Sequence, residues 1–293
     1  MIADIDKFLQ TSALSPATLD IYAHYLVMFA EWTNEKGIAP ANVEPLNVMQ
    51  FLNQYPQWSY STKHNVCAAI RQFYRYAYSD DHPATRVKIR KIEPPPQRCL
   101  SAQELSDLLA SIDTNTPTGV RDRAIVCLMA DTGMRASEVT NLEIKNMDLT
   151  KRQLFTYAKG GRWLQKVFTQ YTADMLNKWM EARPQLTKDM KFVFISVGGK
   201  RAGTSLTRHG LHSLFERLAV RAGLDDFSPH ALRRTFATLA IENGAPTRLV
   251  QVAGGWSTIS MVERYTRALK PDAISGFSPL RAYDHQNGNE PKG

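Results

Sequence analysis

Cysteine is scarce in this chain: Cys67, Cys99 and Cys127 are the only three in 293 residues. An odd number at such wide spacing frames no disulfide set and matches no zinc-ligand pattern, so the thiols read as reduced, buried bystanders. Long apolar runs are missing as well. No stretch reaches the roughly 18 apolar residues of a membrane span. The opening MIADIDKFLQ has neither the basic segment nor the apolar core of a signal peptide. A cytoplasmic protein with no membrane partner is expected. Acidic, histidine and cysteine residues form no cluster with metal-ligand spacing, and no internal repeat is present. Strand patterning is nearly absent too, confined to residues 148–169.

Positive charge, by contrast, is in excess. The formal net charge is +8, which favours an anionic partner such as nucleic acid. The excess is uneven: residues 1–99 hold 10 Lys+Arg against 9 Asp+Glu, and the remainder holds 26 against 19. The second part of the chain is therefore where phosphate handling is expected.

Residues 1–86 read as helical. Across 18–36, Leu19, Tyr22, Leu26 and Phe29 recur three and four apart on one face, and Gly37 stops the run. A helix over 43–55 carries Val48, Phe51 and Leu52 and ends at Pro56. Another, over 61–78, has Val66, Ile70, Phe73 and Ala77 on one face and Lys63, Arg71 and Arg75 on another. That basic stripe suits either a solvated face or a surface for phosphates. In residues 87–99, three consecutive prolines exclude helix and favour an extended spacer, and basic residues flank them. This is the expected domain boundary, a linker that would let two lobes close around a duplex.

Beyond it, Ser101 and Glu104 form a capping-box pattern. A mostly apolar helix over 119–131 breaks at Thr132-Gly133, which sets Arg135 at the start of the next. QLFTYA and WLQKVFT flank the glycine-rich reversal KGGR, a hairpin with Lys159 at its lip. Residues 173–183 and 206–223 are amphipathic helices. The fold class is mostly α: a helical N-terminal domain, then an α-rich domain with one small antiparallel sheet.

Residues 228–267 carry the densest chemistry. Ser228 suits a helix cap and Pro229 the first helical position, so His230 and Arg233, three apart, share a face at the helix start. A helix N-terminus favours an anion, and these side chains would reinforce that. Asn243-Gly244 ends the helix, a short one over 247–253 breaks at Gly254-Gly255, and Ser257 is the expected cap of a last helix bearing Tyr265.

HALRRTFAT, then GGW, then Tyr265 nine residues after Trp256 resembles the catalytic signature of the tyrosine recombinases, the phage-integrase, Xer and Cre family. Upstream, DTGMRASEVTNL resembles the family's first arginine motif, with Arg135 and Glu138, and YAKGGRW its hairpin lysine motif. The likeness spans roughly residues 98–267. Arg234 stands where many relatives have histidine. Trp256 also stands where most have histidine, as in Cre-like members.

The resemblance implies a helical core-type DNA-binding domain over 1–86, a linker over 87–99, a catalytic domain over 100–270 and a tail over 271–293. In the tail, Ala273, Ile274, Phe277 and Leu280 form a short apolar stripe suited to docking on the same domain or on a neighbouring protomer. It also implies the roles. Arg135 and Arg233 clamp a phosphate, Tyr265 attacks it, His230 handles the tyrosine's proton, Lys159 protonates the leaving 5′ oxygen, Glu138 orients the arginine or the histidine, and Trp256 donates an indole N–H. Lys63, Arg71, Arg75 and Arg234 would contact DNA. The partners implied are double-stranded DNA with specific sites and further copies of the chain, four on two duplexes, working in the cytoplasm at the nucleoid. With three cations in the set, no metal and no nucleotide cofactor is expected. No added arm-binding domain is expected, which favours short core sites. The competing expectations are a type IB topoisomerase and a catalytically silent DNA-binding factor.

Overall fold

The computed structural model describes residues 1–90, 98–158, 161–183 and 191–266, with backbone only for Ala158 and residues 264–266. Lys159 and the tail stripe from Ala273 to Leu280 lie outside the described residues. The chain divides into two compact units, Met1–Pro94 and Pro95–Gly293.

The first unit is helical: α1 (Ile2–Thr11), α2 (Pro16–Glu35), α3 (Pro45–Asn53) and α4 (Tyr60–Ala77). Ser15 and Ser59 cap α2 and α4, their hydroxyls accepting from the amides of Thr18 at 3.3 Å and Thr62 at 3.0 Å. Each cap satisfies an amide the helix leaves open. The expected stripes turn inward, so Leu26, Phe29, Val48, Phe51, Val66, Ile70 and Phe73 are buried. Phe29 and Phe51 meet edge to face at 5.1 Å. α1, which the sequence reading did not single out, adds Ile5 and Phe8 to this core.

The second unit holds α5 (Ala102–Ser111), α6 (Pro117–Thr132), α7 (Ala136–Thr140), β1 (Met147–Asp148), β2 (Gln153–Ala158) and β3 (Arg162–Val167). It continues with α8 (Gln170–Ala182), α9 (Arg208–Ala222), α10 (Pro229–Glu242), α11 (Thr247–Gly254) and α12 (Ser260–Thr266). The strands form one antiparallel sheet in the order β1-β2-β3, with Leu154 opposite Lys166 and Tyr157 opposite Trp163. β1 extends the expected hairpin by a third, two-residue strand. α6 runs through the core, packed by α8 on one side and α10 on another. Its polar Arg121 and Asp122 are buried yet paired, Nη2 to Oδ1 at 2.6 Å, and Arg121 also donates to the Ile195 carbonyl at 3.1 Å. Removing one partner of such a pair would strand a buried charge, at about 3–5 kcal/mol.

Three local expectations need correcting. Gly254 does not break α11 but forms its last residue; Gly255, with φ 71°, makes the left-handed exit. Ser257 does not cap α12: the helix starts at Ser260, with the Thr258 carbonyl accepting from Met261 and the Ile259 carbonyl from Val262 and Glu263. Cys99 is only half-buried, because it sits where the chain enters the unit; Cys67 and Cys127 are buried, and burial pushes their thiols up to about 11 and about 12.

Candidate active site

The site is built where the C-termini of α6 and α11 meet β3 and the start of α10. At the end of α6, Gly133 adopts left-handed backbone, φ 60°. A side chain there would collide with the Phe236 ring. This turn sets Arg135 at the position before α7, and Glu138 reaches back to it. Its Oε2 accepts from the Arg135 amide at 2.9 Å and its Oε1 from Arg135 Nη1 at 2.7 Å. Glu138 is buried, and of the two orienting partners the sequence allowed it, the bonds run to the arginine. Arg135 Nη2 also donates to the Gly255 carbonyl at 3.1 Å.

On α10, Ser228 Oγ accepts from the Ala231 amide at 3.2 Å, fixing the helix start. His230 and Arg233 follow in the first turns. Arg233 is buried; its Nη1 donates to the Gly133 carbonyl, and its guanidinium lies 4.1 Å from the centre of the Trp256 ring. Cation–π contact of this kind holds an arginine in place without using its N–H donors. Trp256 is held in turn by its amide on the Gln251 carbonyl, 3.0 Å, and by Gln251 Nε2 on the Trp256 carbonyl, 3.2 Å. Its buried ring stacks on Phe236 and shares an apolar cluster with Val250 and with Val262 of α12.

His230 stays exposed as a residue. Loss of water around the ring, and then the charges of Arg234, Arg233, His212 and Arg135, push its pKa below the ordinary histidine value. It is therefore a neutral base near pH 7. Tyr265 follows Val262 by three residues in α12. Its side chain, like all of Lys159, lies outside the described residues.

Sequence reading missed Lys166. On β3, it is 2% exposed, with Nζ donating to the Thr132 carbonyl at 3.2 Å and to the Ala253 carbonyl. Burial lowers its pKa to about 7; Glu138 opposes that shift, and Arg233 and Arg135 add to it. A signal was present. Leu164, Lys166 and Phe168 alternate onto one strand face, so this lysine occupies a position its neighbours mark as inward.

The remaining candidates are dispersed. Arg71 is half-buried on α4 and donates to the Val87 carbonyl at 3.3 Å. Lys63 is half-buried one face along, and exposed Arg75 pairs with Asp80 at 3.1 Å. Arg234 Nε donates to the Arg98 carbonyl at 2.8 Å. Tyr157 is 62% exposed and meets exposed Trp163 at 5.6 Å. The Tyr171 hydroxyl accepts from Arg123 at 2.8 Å. Among the described residues, no group of three histidine, cysteine or acidic side chains could hold a metal ion.

Two guanidiniums and one buried amine thus converge with a single carboxylate, itself bound to Arg135. Such a cluster suits an anion with several oxygens, which guanidiniums grip without losing charge near neutral pH.

The sequence profile described as "Phage integrase family" matches residues 98–271, and that described as "Phage integrase, N-terminal SAM-like domain" matches residues 1–84. The chain is 32% identical over 277 residues to the tyrosine recombinase XerD of Lacticaseibacillus casei, covering 91% of this chain and 93% of that one. It is 28% identical over 289 residues to the tyrosine recombinase XerC of Oceanobacillus iheyensis, covering 94% and 93%. In fold it is similar to the XerH site-specific recombinase bound to palindromic difH substrate, with a TM-score of 0.74 at 23% identity over 90% of this chain and 80% of that one. The Tn1549 transposon integrase bound to transposon right-end DNA gives a TM-score of 0.75 at 17% identity over 98% and 99%.

Proposed function

The chain belongs to the phage integrase family and is a site-specific tyrosine recombinase, and from that premise we propose how its residues break and rejoin DNA. Arg135 and Arg233 take the two non-bridging oxygens of the scissile phosphate. Charge grows there as the phenol oxygen of Tyr265 attacks, and fixed donors stabilise that charge without reorganising. His230, held neutral, accepts the phenol proton, since a phenol near pKa 10 needs a base at neutral pH. Lys159 gives a proton to the departing 5′ oxygen. The product is a 3′-phosphotyrosine, which keeps the energy of the cleaved bond, so a 5′ hydroxyl can reverse the step without a nucleotide. Glu138 orients Arg135, and Trp256 orients Arg233 by stacking. The observation that carries this reading is the joint anchoring of the two arginines: Arg135 donates to the Gly255 carbonyl in the turn that presents Trp256, and Arg233 to the Gly133 carbonyl in the turn that presents Arg135.

The partner is double-stranded DNA carrying specific sites. Four protomers on two duplexes would exchange strands in pairs through a Holliday junction, in the cytoplasm at the nucleoid. Residues 1–86 would bind the core site through Lys63, Arg71 and Arg75, with Arg234 adding a phosphate contact from the second domain. A binding site selected by this protein from random duplexes, placed twice in a plasmid, tests the proposal. Deletion or inversion products are expected. Relaxation of supercoils without rearrangement would instead favour a topoisomerase.

A further inference from the structure

Lys166 has no part in the chemistry just described, yet it is as buried as the core around it. Ammonium groups are kept from water only where something meets them, and here two helix ends do. Thr132 closes α6, and Ala253 lies one residue from the end of α11. Carbonyls in the last turn of a helix have no partner within it, and they carry the negative end of the helix dipole. The Lys166 ammonium donates to both ends at once. The segments that leave those ends are the ones that matter: Gly133 to Arg135 from α6, and Gly255 to Trp256 from α11. Arg233 and Arg135 tie into the same two turns from the other side.

We propose, on the basis of the recombinase reading above, that Lys166 is a positioning residue of the strand-transfer site: it clamps the C-termini of α6 and α11 together from β3 and so fixes the spacing of Arg135 and Arg233. The groups facing Lys166 are Glu138 and Arg135 from α7 and its cap, and Arg233 from α10. Glu138 favours the charged amine, whereas burial and the arginines oppose it, leaving Lys166 close to half-charged near pH 7. Charged, it has three N–H donors and attracts both helix ends. Neutral, it keeps two donors and loses the attraction. A bound phosphodiester adds negative charge nearby and favours the charged form. The clamp therefore tightens when substrate binds and loosens as pH rises.

The test is single-turnover cleavage of a nicked duplex by wild type, Lys166→Met and Lys166→Arg from pH 6 to 9, with amide hydrogen exchange on the DNA-free proteins. Lys166→Met is expected to keep its half-saturating DNA concentration within about threefold while its cleavage rate falls roughly 100-fold, since a one-ångström misplacement costs about that much. Its rate should no longer decline as pH rises past 7. Lys166→Arg, which keeps donors but does not titrate, should recover at least about a tenth of the wild-type rate, also without that decline. A folded Lys166→Met cleaving within threefold of wild type would overturn the proposal, as would a rate loss matched by an equal loss of affinity. Should Lys166→Met fail to fold, Lys166→Arg decides: an unchanged alkaline decline overturns the proposal, its disappearance supports it. If wild type itself forms no covalent adduct, the recombinase roles fail, and hydrogen exchange still judges the clamp. Faster exchange at both 133–138 and 253–257 in the variants supports it, and unchanged exchange overturns it.

Discussion

An arginine and a lysine carry the same charge but not the same shape. Arg135 spends guanidinium donors on Glu138 and Gly255, and Arg233 sits over the Trp256 ring; a lysine ammonium cannot make such contacts and still reach two oxygens. Arg135→Lys or Arg233→Lys should therefore slow covalent cleavage by about 10²-fold or more, as losing one preorganised donor costs roughly 3–4 kcal/mol. A chelator added to the same assay should change nothing. His230 supplies the pH dependence. Its folded pKa is lowered, so as pH falls the unfolded chain takes up the proton first, at about 6.5, and the folded protein resists. Stability contributed by this group thus declines as pH drops below the unfolded value and levels off below the folded one. Cleavage should hold steady to a pH below the ordinary histidine value and then fall, as protonation removes the acceptor for the tyrosine proton. His230→Asn should abolish both acid-side slopes, measured by urea unfolding and by the pH–rate profile.

At the scale of the elements, two glycines shape the site. Gly133 and Gly255 both exit helices in left-handed backbone, and a Cβ on Gly255 would lie 2.3 Å from Leu164 Cδ1. Gly255→Ala combines a left-handed penalty of about 1–2 kcal/mol with that collision, so it should lower the unfolding midpoint and displace Trp256. A cleavage loss larger than the stability loss accounts for is expected in a single-turnover assay. Most of this architecture was legible in the sequence. Three- and four-residue spacing marked the helices, Ser101 and Ser228 sat at helix starts, and the motif residues Arg135, Glu138, Arg233 and Trp256 come together in space. Other features were not legible, for physical reasons. Strand alternation could mark Lys166 as inward, but not what it does there, because its partners are main-chain carbonyls, which no side-chain pattern reports. The exact start of α12 depends on which carbonyl near Ile259 meets the first amides. Ser257 looked like a cap by type but bonds to Met261 Sδ at 3.3 Å instead.

For the whole molecule, the first unit has its own aromatic core and near-balanced charge, whereas the excess positive charge belongs to the unit with the site. Binding and chemistry should accordingly be separable. The proposed tail contact between protomers belongs to assembly: ending the chain at Lys270 should spare binding of one protomer in a gel shift while removing cooperative binding to two-site DNA, and unchanged cooperativity would mean the tail acts within its own domain. Beneath all of this lies the claim that Tyr265 cuts DNA by bonding to it. The direct measurement is to trap the enzyme on a nicked version of its selected site, digest the denatured complex, and identify the DNA-linked peptide by mass spectrometry. The expected peptide carries the nucleotide on Tyr265 through a 3′ phosphate, and Tyr265→Phe binds the duplex but yields none. An adduct on another residue, or one formed by Tyr265→Phe, would contradict it.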